Sequence, residues 1–178
     1  MKRFVMFLTY SRILSGPIIF ILSVYLELYL LTFAVFIVAA LTDFLDGYLA
    51  RKFNVDTAVG ALMDPIADKI ILCSALISIV LILNDPFIGL ASLVILAREF
   101  WVSALREYSS IKQIQTATRV TLSAKIKTTT QFLSIALFFY SISYQLALGV
   151  FLASFILFLS MLLSIKTGIE YTHNIFNA

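Results

Sequence analysis

From Gln131 to Ile165 the chain carries no charged residue. As a single helix rising 1.5 Å per residue this run would be ~50 Å long, against about 30 Å of bilayer hydrocarbon. It must therefore turn back on itself, and the polar stretch Ser141–Gln145 is the place for that turn. Apolar stretches of this kind recur along the whole sequence between short polar breaks. They predict six membrane-crossing helices, at about residues 6–26, 29–51, 58–83, 86–107, 121–142 and 146–167. Composition agrees: the chain is 61% hydrophobic and 13% charged, where soluble domains sit near one half and one quarter. That balance excludes a soluble enzyme and a disordered chain. The predicted fold is an all-α integral membrane bundle of six transmembrane helices, a single domain over residues 1–178.

The basic residues orient this bundle. Lys2, Arg3 and Arg12 precede or enter the first span; Arg51, Lys52 and Lys69 flank the second connection. Arg98, Arg106, Lys112, Arg119, Lys125 and Lys127 surround the fourth connection, and Lys166 follows the sixth span. With six spans all 13 basic residues fall toward one side, while the three opposite turns carry only Glu27 and Asp85. Cationic loops stay in the cytoplasm, so both termini are expected there. One cysteine, Cys73, and one histidine, His173, argue against a disulfide framework, a His-ligated zinc and a Ser-His-Asp triad. His173 is expected in a loop.

Carboxylates inside such a bundle need an explanation. Asp43 and Asp46 are three residues apart and share a face of the second span, and Gly47 and Arg51 continue the row from Asp43. On the third span Gly60, Asp64 and Asp68 form another row at i+4 spacing. Counted from the short connection between the spans, Asp46 and Asp43 lie ~9 and ~13 Å into the helix, and Asp64 and Asp68 ~12 and ~18 Å. Both pairs thus reach overlapping depths. An acid at the centre of a membrane helix costs roughly 2.5–3.5 kcal/mol, and close carboxylates repel one another. Protonation, pairing with Lys69 and Arg51, or hard divalent cations each relieve this. Carboxylate oxygens without Cys or His suit Mg²⁺ or Mn²⁺, and a two-metal site suits displacement at phosphorus. The strongest rival is an acid-lined proton or cation pathway.

The spacing D-x-x-D-G-x-x-A-R, eight residues, G-x-x-x-D-x-x-x-D is met at Asp43, Asp46, Gly47, Ala50, Arg51, Gly60, Asp64 and Asp68. This resembles the motif of the CDP-alcohol phosphatidyltransferase family, whose six-helix membrane architecture matches the span count. Within the family, LTYSRILSGP (8–17), MDPIADK (63–69), AREFWVSALREY (97–108) and AKIKTTTQ (124–131) are similar to members that use glycerol 3-phosphate as acceptor. The resemblance implies transfer of the phosphatidyl group from CDP-diacylglycerol to sn-glycerol 3-phosphate. The alternatives are family members with phosphatidylglycerol or an inositol phosphate as acceptor.

The resemblance also implies roles. Asp43, Asp46, Asp64 and Asp68 would hold two divalent cations, Mg²⁺ or Mn²⁺, with Asp68 also the general base. Gly47, Ala50, Arg51 and Gly60 would lie against the CDP-lipid. The acceptor's phosphate needs cations of its own. Arg98 and Arg106 lie within about a quarter turn of each other on the fourth span, and Arg119, Lys125 and Lys127 crowd the start of the fifth. These five are the expected phosphate clamp, with Glu99 and Glu107 as competing partners for the arginines. Thr9, Thr42 and Ser103 are more simply read as hydroxyls bonded to their own helix backbone. A homodimer surrounded by membrane lipids, in a bacterial inner membrane with its site facing the cytoplasm, completes the expectation; nucleic acid is not an expected partner.

Overall fold

Backbone amides out of reach of water must bond one another, and a long apolar chain does so as helices. The computed structural model describes residues 2–53, 58–112 and 122–177, with side chains over 10–42, 63–112 and 123–177. The described elements are α1 (Lys2–Phe20), a π-helical turn (Ile21–Tyr25), α2 (Tyr29–Phe53), α3 (Ala58–Leu83), α4 (Pro86–Ile111), α5 (Leu122–Ser143) and α6 (Ala147–Phe176). Each predicted span has its helix, so the all-α class stands. Among the described residues Met63–Leu83, Pro86–Ile111 and Ala147–Phe176 are long and apolar enough to cross a membrane, and Tyr10–Tyr25 and Tyr29–Thr42 are shorter apolar helices.

Three turns are closed by the same device. Glu27, Asn84 and Gln145, all non-glycine, take left-handed backbone angles with φ of 54°, 49° and 53°. At the predicted turn in the charge-free run, Leu146 N–H bonds back to the Ser141 carbonyl at 2.9 Å, the long-reach bond of a helix end terminated by a left-handed residue. At the start of α4 the Asp85 carboxylate accepts from Phe87 N–H at 2.7 Å and Ile88 N–H at 3.3 Å, with Pro86 in the first turn. The π-helical turn before Glu27 ends with Leu28 N–H bonded to the Leu22 carbonyl at 2.8 Å.

The last helix corrects one expectation. His173 lies within α6, which runs on to Phe176, and its ring nitrogen meets the Asn177 side chain. The reason is packing. Ser164, Thr167, Tyr171 and Ile175 recur at three- and four-residue intervals and are all buried, and Tyr171 and Ile175 join Val102, Leu105 and Ala124 in one apolar cluster. A polar-looking segment with a periodic buried face continues a helix.

The chain divides into two units, residues Met1–Asn84 with Phe139–Leu146, and Asp85–Phe138 with Ala147–Ala178. In the first, α1 packs chiefly on α3 and then on α2. Gly16 permits the close approach: a Cβ there would come within 2.5 Å of Ile70 Cγ2 and 3.2 Å of the Ile70 backbone. Gly16→Ala is expected to cost about 1–3 kcal/mol through overpacking, read as a lower thermal midpoint in detergent; an unchanged midpoint would show that α1 has room to retreat. In the second unit α4 packs on α6, and Ser134 of α5 donates to the Ala153 carbonyl of α6 at 2.8 Å.

The distribution of polarity is that of a chain in lipid. Ser23, Ser78, Ser134, Ser141, Ser160 and Ser164 are fully buried, while Phe87, Leu93, Leu148, Phe151 and Ile169 are among the most exposed side chains. Small hydroxyl residues between helices and large apolar ones outside give close helix contact where lipid offers no hydrophobic drive.

Candidate active site

The first unit gathers charge around α3. Asp64 and Asp68, one helical turn apart, present carboxylates that are 44% and 47% exposed. Arg12 of α1 reaches them from within the protein, its own side chain only 1% exposed. Its Nη2 donates to Asp64 Oδ1 at 2.7 Å and its Nη1 to Asp68 Oδ1 at 3.3 Å. Ser15, on the next turn, donates to the Arg12 carbonyl at 2.6 Å. The close α1–α3 contact at Gly16 and Ile70 is what brings this guanidinium within reach. The i+4 spacing of the two acids thus does what the sequence expects, and one positive charge meets both. Arg12, read from sequence only as an orienting charge, is the residue that reading missed: its partners lie 52 and 56 positions away.

Beside Arg12, Ser11, Ser15, Val35, Val38 and Thr42 are among the residues of a mainly apolar cleft of about 370 Å³ between α1 and α2. Thr42 itself bonds the Ala39 carbonyl at 2.8 Å, the backbone role expected of it. The side chains of Asp43, Asp46, Gly47, Ala50, Arg51 and Gly60, expected at this site, lie outside the described residues, as do Arg119 and the Thr9 side chain. Among the described residues no three His, Cys, Asp or Glu side chains converge on one point; the two described acids of the motif account for one half of the expected set. Their chemistry fits a hard divalent cation: the donors are carboxylate oxygens, partly open to solvent, and a cationic side chain is already drawn between them.

The second unit gathers cations. Arg98 on α4 is buried, and α6 fixes two edges of its guanidinium: Nε donates to the Ser164 carbonyl at 3.2 Å and Nη2 to Thr167 Oγ1 at 2.8 Å. Gly168 leaves room for the stem, since a Cβ there would sit 3.1 Å from Arg98 Cγ. The remaining nitrogen, Nη1, donates to Glu99 Oε1 at 3.1 Å. Lys127 of α5, also buried, donates through Nζ to the same Glu99 oxygen. Arg106 donates to the Tyr171 hydroxyl at 3.3 Å, and the Tyr171 ring lies 5.4 Å from Arg106 Cζ and 5.8 Å from Arg98 Cζ, a cation–π arrangement for both. Of the expected clamp, Arg98, Arg106 and Lys127 are therefore joined through Glu99 and Tyr171. Lys125 is exposed and makes no side-chain bond among the described residues. The expected pairing of Glu99 with an arginine holds. Tyr171 and Thr167 were invisible to sequence reading, because nothing in their neighbourhood marks α6 as facing α4. Ser103 bonds the Glu99 carbonyl at 2.8 Å, again a backbone role.

The two clusters differ in what they attract: one draws a cation between acids, the other an anion between cations. Residues 5–166 match the CDP-alcohol phosphatidyltransferase family. Among curated relatives, a protein of Wigglesworthia glossinidia brevipalpis is 38% identical over 162 residues, covering 87% of this chain and 88% of the relative. One of Rickettsia typhi is 39% identical over 140 residues, covering 77% and 76%, and one of Escherichia coli K12 is 36% identical over 132 residues, covering 72% of each. All three are named CDP-diacylglycerol–glycerol-3-phosphate 3-phosphatidyltransferase. With its eight motif positions intact and nearly its whole length matched, the chain belongs to the CDP-alcohol phosphatidyltransferase family.

Proposed function

We propose that this chain is the transferase that moves a phosphatidyl group from CDP-diacylglycerol to sn-glycerol 3-phosphate, giving phosphatidylglycerophosphate and CMP. The observation that carries this reading is the paired acid row of α3, held around a cation within the family's eight-position motif. The names of relatives aligned over most of their length support the choice of acceptor.

Asp43, Asp46, Asp64 and Asp68 would hold two divalent cations, Mg²⁺ or Mn²⁺. Such ions would supply positive charge to offset that of the acids and of the phosphates reacting beside them. Asp68 takes the proton from the acceptor's glycerol hydroxyl. That oxygen forms the new bond to the phosphorus bearing diacylglycerol, and the bond to CMP breaks with its electron pair leaving on the nucleotide. No covalent enzyme intermediate forms. Gly47, Ala50, Arg51 and Gly60 lie along the CDP-lipid, and the apolar cleft beside Arg12 suits its acyl portion. Arg98, Arg106, Arg119, Lys125 and Lys127 take the acceptor's phosphate, for which an arginine fork with a neighbouring lysine is well matched.

The chain works as one catalytic domain over residues 1–178, as a homodimer among membrane lipids. It crosses a bacterial inner membrane six times with both termini and the site at the cytoplasmic side; the one-sided placement of its basic residues supports that orientation. An acceptor screen tests the activity. The full chain in nanodiscs with CDP-diacylglycerol and Mg²⁺ or Mn²⁺ should release CMP with glycerol 3-phosphate, and far more slowly with phosphatidylglycerol or inositol phosphate. No CMP with glycerol 3-phosphate would refute the assignment, and metal-dependent ion flux without CDP-lipid would favour a transport pathway.

A further inference from the structure

We infer that Glu99 is a built-in stand-in for the acceptor's phosphate: its carboxylate occupies the point between Arg98 and Lys127 that a substrate anion must take, and so sets which anions bind. The inference rests on the acceptor reading above. Three observations converge on it. Ser164 and Thr167 fix Nε and Nη2 of Arg98, so Nη1 is the nitrogen turned toward an anion, and it is spent on Glu99 Oε1. Lys127 arrives from a different helix and donates to that same oxygen. Both cations are buried, whereas the Glu99 side chain is 20% exposed.

The charges make this a selective arrangement. Two buried cations side by side are costly without an anion, so the empty site needs the carboxylate. A carboxylate brings one negative charge, a phosphate monoester about 1.5–2 at pH 7. A phosphate can therefore displace Glu99 from Arg98 Nη1 and Lys127 Nζ, while a singly charged anion gains little by doing so. Glu99 is thus a specificity-determining residue whose presence weakens phosphate binding in exchange for discrimination. A merely supporting role predicts the opposite sign, since removing a support for Arg98 and Lys127 would weaken binding.

The test uses the full chain in nanodiscs without CDP-lipid, titrated with inorganic phosphate. Glu99→Gln should bind phosphate about fivefold more tightly, the scale of one partly exposed ion pair, and its KM for glycerol 3-phosphate should fall by a similar factor. Without anion its thermal midpoint should drop below that of the unaltered chain, and phosphate should raise it by the larger increment. Glu99→Asp keeps the charge but withdraws it by one methylene; it should bind about twofold more tightly, on the same ion-pair scale, and it carries the test if Glu99→Gln fails to fold. Unchanged or weaker phosphate binding in the folded variant overturns the inference. Lys127→Met separates this from the reading beneath it: a raised KM for glycerol 3-phosphate in that variant leaves the acceptor site standing whatever Glu99 does, and an unchanged KM removes the acceptor site itself.

Discussion

Asp68→Asn is expected to lower kcat by about a thousandfold, within the range of a lost general base, while the KM for CDP-diacylglycerol moves by no more than a few fold. The two acids of α3 are not equivalent. Asp64 is held at 2.7 Å by Arg12 Nη2, whereas the Asp68 contact to Nη1 is the longer, at 3.3 Å. Both carboxylates are about half exposed, and they differ in their distance from the guanidinium. The carboxylate at the longer contact is the one placed to meet the acceptor's hydroxyl, since a base must come within hydrogen-bond reach of the proton it takes. Asp64→Asn, which removes a metal ligand that is not the base, should lower turnover and donor affinity together. Steady-state CMP release, with donor and acceptor varied in turn, separates the two outcomes. Equal loss of turnover and donor affinity in Asp68→Asn would make Asp68 a ligand and nothing more.

The second large effect is expected at Arg12. Arg12→Gln removes the cation that lies against both acids and leaves two like charges one turn apart, a mildly destabilising pair by itself. Breaking a fully buried ion pair costs about 3–5 kcal/mol. Here the carboxylates are half exposed and can recover water, so a loss of roughly 1–3 kcal/mol is expected in the presence of a chelator, a discount for solvent screening. For a chain of this size that is a drop of roughly 5 °C in thermal midpoint, on the scaling established for soluble domains. Millimolar Mg²⁺ or Mn²⁺ should restore most of the loss, since a divalent ion supplies positive charge where the guanidinium stood. A variant equally destabilised with and without metal would show that Arg12 serves packing alone.

Some of this architecture is legible in the amino-acid order. The helices follow from apolar stretches broken at short polar points, and the turn at Gln145 from a run too long for one crossing. The placement of Asp64 and Asp68 on one face follows from their i+4 spacing. What stayed hidden depends on contacts between distant segments. Arg12 reads as an orienting charge because no local pattern ties it to acids more than fifty positions away. The far end of α6 reads as a polar tail, since Lys166, Glu170 and His173 obscure the buried face formed by Ser164, Thr167, Tyr171 and Ile175. Glu99 was half legible: an adjacent arginine suggested a pair, but only the packing of α5 adds Lys127 to the same oxygen.

The acids of the motif are expected to form a paired-cation site. Mn²⁺ binding to the full chain in nanodiscs, followed by the electron paramagnetic resonance of free Mn²⁺ with CDP-diacylglycerol present, addresses it directly. Two ions per chain are expected, with weakened binding in Asp64→Asn and in Asp68→Asn. Unaltered Mn²⁺ binding in the Asp64→Asn/Asp68→Asn double variant would contradict it.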